Sequence, residues 1–533
     1  MVQRDRFAAA DAFTGLIIGT GTTLKFGPGS LLIGYALMGF VVYVVMVALG
    51  EMGAFLPHKK SFSGYASRFV DPAMGFATGW NYFFKYVIVL PNNLTATGII
   101  LSYWVPNLNV SVWIVVFGVV IIALNVHQPP PYRSATEVLT LLSQLIHVSF
   151  FGEAEFWMSL IKALVIIMLI LLCFIIALGG GPNGQRSGFW YWQEPGAFAE
   201  YSIAVGGVTY FVRGDTGKFL GVWACAVQAT FAYLGTELVG VAFGETPNPR
   251  KNVPRAVNQT LLRIVFFYIA GVLVLGMAVP YNSERLLAAT KKSTSGRMSF
   301  PPSVFPHLLL PIQIANSHFL CPATVASPFT VAAASAGVSH LEDAVNGLLL
   351  VFTISAANSD IYLASRTVWA LAKDGQAPYL MQRTNSRGVP IPAVALSSIF
   401  IALGFMNATK SASTVFGYFV SLVTVFGALN WVAVLVSYLA MIRAMKAQGV
   451  SREIMPYRNI LLPWGAWIAL AVTAVVIIFS GYAAFIPYFQ VDKFMTSYIG
   501  IPVYVANVLW WKFVKKTKRV KPEEADLVTG RRA

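Results

Sequence analysis

Charge is scarce in this chain: 11% of its 533 residues are Asp, Glu, Lys or Arg, where a water-soluble domain carries about a quarter. Acidic groups are the scarcer, 22 against 38 basic ones. The shortage excludes an ordinary soluble globule. With 56% hydrophobic residues gathered in continuous windows of roughly 20, the spans are helices and not barrel strands. Cysteine is almost missing as well; Cys173, Cys225 and Cys321 form no metal or redox spacing and read as core residues. Triad, Walker-loop and Rossmann patterns are absent, so no chemistry on a substrate is expected. MVQRDRFAAAD is followed by no long apolar core with a cleavage site, so no cleavable signal peptide is visible.

What is present is a train of apolar windows, at 30–50, 72–101, 111–126, 151–178, 219–243, 260–280, 344–370, 390–407, 415–440, 464–487 and 494–514. A short one at 7–24, holding Asp11, completes about twelve. Twelve spans put both termini on one side. Counted loop by loop, that side holds about 25 of the 38 Lys and Arg, so both termini are expected in the cytosol. The net charge of +16 is thus spread over short loops, with one cluster, KFVKKTKRVK, after the last span. This pattern reads as orientation and contact with membrane lipid head groups, not as a nucleic-acid groove. The chain divides into an N-terminus at 1–11, a membrane domain at 12–514 and a basic tail at 515–533. Two stretches rich in Pro and His, 127–146 and 296–326, break the pattern. Their histidines match no metal spacing and no metal is expected; the stretches read as loop or as translated non-coding sequence.

Residues 219–255 organise the rest, because an apolar run there contains one carboxylate, Glu237. A charge at mid-membrane costs a few kcal/mol or more and is normally turned to a protein-lined cavity with work to do. Lys162, in WMSLIKALVIIMLILL, is similarly deep. Stripped of water, a lysine favours its neutral form and suits proton transfer, unless it snorkels to the interface. Lys85 and Asn93 lie about two turns apart on the third span, loosely on one face. The cation there biases a cavity toward anionic side chains, unless Lys85 is tied into an ion pair with a carboxylate such as Asp360. Glu51 reads as part of a gating ion pair at a span end, and Asn109 and Asn407 fall in glycosylation tripeptides.

The run GTELVGVAFGETPNPRKNVPRAV resembles the sixth span and following loop of fungal amino-acid permeases, of the amino acid-polyamine-organocation superfamily. GEMGAFLPHKKSFSGYASRFVDPAMGFATGWNYFFKY, FFGEAEFWMSLIKALVII, LGGGPNGQRSGF and ISAANSDIYLASRTVWALAKDGQAP agree. TGLIIGTGT, YFFKYVIVLPNNLTA, LGMAVPYNSERLL and SYIGIPVYV are most similar to the dicarboxylic members. The resemblance implies an all-α polytopic fold, an inverted repeat of five plus five helices with two more, and breaks in helices one and six. It also implies proton-driven uptake of amino acids across a plasma membrane, with no cofactor beyond the proton gradient. Half-helix ends freed by such breaks suit a zwitterion.

On that resemblance the first break is expected at Thr14 and Gly15 or at Gly19 and Gly21, in a first helix shorter than the family's; close packing through small residues is the other reading. The second is expected within Phe231 to Thr236, with Phe231, Gly235, Thr236 and Glu237 at the substrate. Glu237 is then a proton carrier, an acceptor for the substrate ammonium or a structural hydrogen-bond partner, and Lys162 matches the family's proton-coupling lysine. Glutamate and aspartate are the expected substrates. Broad or neutral amino-acid uptake, or a sensor or defective product that transports nothing, are the alternatives.

Overall fold

The computed structural model describes residues 12–58, 60–126, 160–180, 184, 186–205, 208–241, 243, 248–283, 286, 327–335, 337–338, 340–385 and 388–530. Both odd stretches, 127–146 and 296–326, lie outside these residues. Twelve helices occupy the twelve expected windows: α1 (Ala12–Thr23), α2 (Pro28–Phe55), α3 (Pro72–Leu101), α4 (Val110–Val126), α5 (Leu160–Ala177), α6 (Gly214–Tyr233), α7 (Pro249–Ala278), α8 (Leu341–Lys373), α9 (Ile391–Ala408), α10 (Ala412–Ala447), α11 (Trp464–Phe485) and α12 (Gly500–Lys515). Among the described residues, nine spans have the length and apolarity to cross a bilayer unaided, α6 counted with its continuation to Gly240. The chain is a mostly helical polytopic membrane protein.

Local chemistry sets the helix ends. Asp71 accepts the Ala73 N–H at 2.8 Å and Pro72 follows at the first helical position, which starts α3; Ser411 caps α10. Gly27, at φ 96°, turns the chain into α2. Pro91 lies inside α3 and is tolerated because neighbouring helices enclose that segment. Where helices touch, glycines thin the contact: a Cβ on Gly15 would lie 2.6 Å from the Ala232 Cα, and one on Gly34 2.7 Å from the Ala226 nitrogen. Polar pairs bind α3 and α4 to α8: Thr97 to Thr353 at 2.8 Å and Asn125 to Asn358 at 2.9 Å. Apolar side chains of α4 and α5, such as Val119, Leu164 and Leu171, point outward, as a bilayer allows.

Two expectations change. α1 runs as unbroken helix from Ala12 to Thr23, so neither the Thr14–Gly15 position nor the Gly19–Gly21 position interrupts it. The helix keeps its own bonds there because Gly15 and Gly19 are spent on close approach to Ala232 and Gln228 of α6. The chain also contains a small antiparallel hairpin, Tyr201–Val205 with Val208–Val212, before α6. Its signal was in the sequence: alternating apolar residues on either side of Gly206-Gly207.

Candidate functional site

α6 ends at Tyr233 and helix resumes only at Leu238–Val241. Leu234 is extended, at φ −61° and ψ 141°, and Gly235 takes φ 98°, a conformation glycine adopts without a Cβ penalty. The interruption frees backbone groups in a region without bulk water, and side chains satisfy them. The Tyr268 hydroxyl donates to the Ala232 carbonyl at 3.3 Å, and the Thr236 hydroxyl to the Tyr233 carbonyl at 2.6 Å. The Gly235 N–H donates to Glu237 Oε2 at 3.0 Å. Glu237 therefore closes the loop it sits in.

Its other oxygen pairs with Lys85. The Lys85 ammonium and Glu237 Oε1 form an ion pair, and each residue is 1% exposed. Tyr86 and Tyr82 of α3 hold their rings 4.8 and 5.5 Å from the Lys85 nitrogen, and the Trp431 indole N–H of α10 lies 3.5 Å from Glu237 Oε2. Such a pair forgoes strong hydration, which only good geometry and further hydrogen bonds repay. Lys85 thus has its ion-pair partner, but that partner is Glu237 and not Asp360. Asp360 instead accepts from Asn93 Nδ2 at 2.7 Å. The spacing explains the split: eight residues carry a helix through two turns and about 80° more, so Asn93 looks toward α8 while Lys85 looks toward the break.

Asn92 was not anticipated. It is fully buried, and neither of its amide atoms has a partner among the described residues. Seven residues after Lys85, it lies on the same face of α3, roughly 10 Å further along. α10 runs antiparallel to α3, since Asn81 bonds Asn430 while Phe84 packs on Phe426. That register sets Asn92 level with Tyr418 and Phe419; Phe416, less than a turn nearer the start of α10, meets Phe231 of α6 edge-on at 6.5 Å. The seven-residue spacing from Lys85 was the available signal.

The remaining expected residues divide. Phe231, Gly235, Thr236 and Glu237 stand at the interruption, Phe231 in the last turn of α6. Gly15, Gly19 and Gly21 are buried in α1. Thr14 belongs to α1, and its side chain lies outside the described residues. Lys162 is fully buried in α5 yet makes no contact with Lys85 or Glu237 among the described residues. Glu51 does form an ion pair, with Arg452 at 2.5 Å, and also accepts from the Asn459 N–H and the Tyr438 hydroxyl, each at 2.7 Å. Asn407 is buried and donates to Thr95 Oγ1 at 3.0 Å, which withdraws it as a glycosylation acceptor. Asn109 remains exposed.

A family model described as "Amino acid permease" matches residues 12–523. The chain is 46% identical over 514 residues to an uncharacterized amino-acid permease of Schizosaccharomyces pombe, covering 96% of this chain and 88% of that one. It is 40% identical to a dicarboxylic amino acid permease of Saccharomyces cerevisiae, over 97% of this chain and 76% of the relative. A proline-specific permease of Emericella nidulans is 36% identical, over 97% and 85%.

Proposed function

The chain belongs to the amino-acid permease family, and on that premise we propose that it carries acidic amino acids inward across a fungal plasma membrane together with protons, both termini lying in the cytosol. The observation that carries this reading is the buried Lys85–Glu237 pair at the break of α6. While both groups are charged they satisfy each other. A proton taken up by Glu237 removes the anion and leaves the Lys85 cation among apolar and aromatic surroundings without its counter-ion, a costly state that an anionic substrate side chain relieves. Substrate and proton then favour each other's binding, which is what coupling requires. Deprotonation toward the other side restores the pair and expels the substrate. Asn92, whose amide has no partner among the described residues, lies about 10 Å along α3 from Lys85 and supplies a second polar contact for the substrate.

A second reading has one observation in its favour: the pair leaves the resting site without net charge, which suits a neutral substrate such as the proline named for one relative. Uptake of labelled glutamate, aspartate and proline in a permease-deficient yeast separates the two. Acidic proton symport predicts glutamate and aspartate uptake that collapses with an uncoupler, and selective loss of both in Lys85→Ser. An unchanged substrate ranking in Lys85→Ser overturns it in favour of neutral uptake, and no uptake of any amino acid points to a sensor or inactive product.

A further inference from the structure

Beneath the Lys85–Glu237 pair lies a short helix, Ser61–Phe69, in the connection from α2 to α3. It reaches the site in two places. The Ser61 hydroxyl donates to the Gly240 carbonyl at 3.2 Å, on the half-helix that follows Glu237. The Phe62 ring meets Tyr82 edge-on at 5.0 Å, and Tyr82 is one of the two rings beside the Lys85 ammonium. Lys60, just before this helix, pairs with Asp374 beyond the end of α8 at 2.9 Å. The helix is a floor under the break.

The chain after α12 lies across that floor. Thr517 donates to Asp71 at 3.0 Å, the Val520 N–H to the Val70 carbonyl at 2.9 Å, and Gln448 at the end of α10 to the carbonyls of Pro522 and Ala525 at 3.0 and 2.7 Å. The principal attachment is Arg68, in the floor helix. Its guanidinium donates to the backbone carbonyls of Asp526 at 2.6 Å and Thr529 at 2.7 Å and pairs with the Asp526 carboxylate at 3.1 Å. Burial raises the Asp526 carboxyl, but the N–H groups of Thr529 and Val528, the Thr529 hydroxyl and the Arg68 charge outweigh it and hold it down to about 2. Ala525 and Leu527 are buried beside it, 4% and 5% exposed. A solvated basic tail would bury neither of them and would leave Arg68 to water. With two small apolar anchors and one arginine fork, the attachment is specific yet small enough to open locally.

We propose that residues 517–530 are a strap that holds the Ser61–Phe69 floor, and through it the half-helix Leu238–Val241, closed at this end of the bundle, so that releasing the strap lets this end open. The strap is a conformational control distinct from the substrate site, and it holds whichever amino acid is carried.

The test uses the full chain in membranes, with Cys173, Cys225 and Cys321 replaced by alanine and one of two reporters added. Ser61→Cys sits in the floor, and Ser30→Cys, equally buried, sits at the opposite end. Maleimide labelling is timed in three backgrounds: intact, Arg68→Ala, and truncated after Lys521. Release of the strap is expected to speed Ser61→Cys labelling about tenfold, the factor for one lost charge-assisted hydrogen bond, with Ser30→Cys unchanged. Equal labelling of Ser61→Cys in all three backgrounds overturns the strap. So does a parallel rise at Ser30→Cys, which means general loosening. Because the reporter reads accessibility and not uptake, the outcome is separate from that of the substrate assay.

Discussion

Glu237 touches the Lys85 ammonium, the Gly235 N–H and the Trp431 indole from one buried position. Glu237→Gln keeps a hydrogen-bonding group for the Gly235 N–H and deletes the charge, which strands Lys85. Breaking a buried pair by removing one partner costs about 3–5 kcal/mol. The purified variant should melt well below the parent and take up no glutamate. Lys85→Met combined with Glu237→Gln removes both charges and should recover most of the melting temperature while leaving uptake absent. If the double variant melts no higher than Glu237→Gln, the pair is not the source of the loss. The same contrast shows how residue identity is legible before residue direction. A carboxylate and a lysine in apolar runs are recognisable as costly from their surroundings in the chain, whereas the choice of Glu237 over Asp360 as the partner of Lys85 depends on which faces of α3 the neighbours cover.

At the scale of the element, the broken α6 and the unbroken α1 are instructive because both stretches are rich in glycine. Gly235 is used for conformation, at φ 98°. Gly15 is used for proximity, with a Cβ there meeting the Ala232 backbone at 2.6 Å. A substitution separates the two uses. Gly235→Ala should cost about 1–2 kcal/mol through left-handed strain and shift the Glu237 carboxylate, so that uptake falls about tenfold or more while the protein still reaches the membrane. Wild-type uptake in Gly235→Ala would mean that the break tolerates another geometry and that Glu237 is not held by it. In the sequence these glycines look alike, since strain and close approach are both properties of what a glycine is placed against. The hairpin before α6 is the opposite case, a purely local pattern.

For the whole molecule, the distribution of Lys and Arg implies a single orientation. Lys410, between α9 and α10, and Lys516, after α12, are exposed at opposite ends of the bundle. Lys410→Cys should react with an impermeant maleimide on intact cells and Lys516→Cys only after permeabilisation; the reverse result would invert the orientation and with it the direction of the proton step. Class, the helical windows and the presence of charged residues inside apolar runs were legible in the chain alone, because hydrophobicity and its period act along the sequence and the bilayer admits few solutions. Which buried groups meet was settled only by the tertiary fold. Lys85 with Glu237, Asn93 with Asp360, Asn92 without a partner among the described residues, and Arg68 with the chain some 460 residues later are all decided by helix rotation and depth, and the turn of about 80° between Lys85 and Asn93 on α3 is enough to send one to the break of α6 and the other to α8.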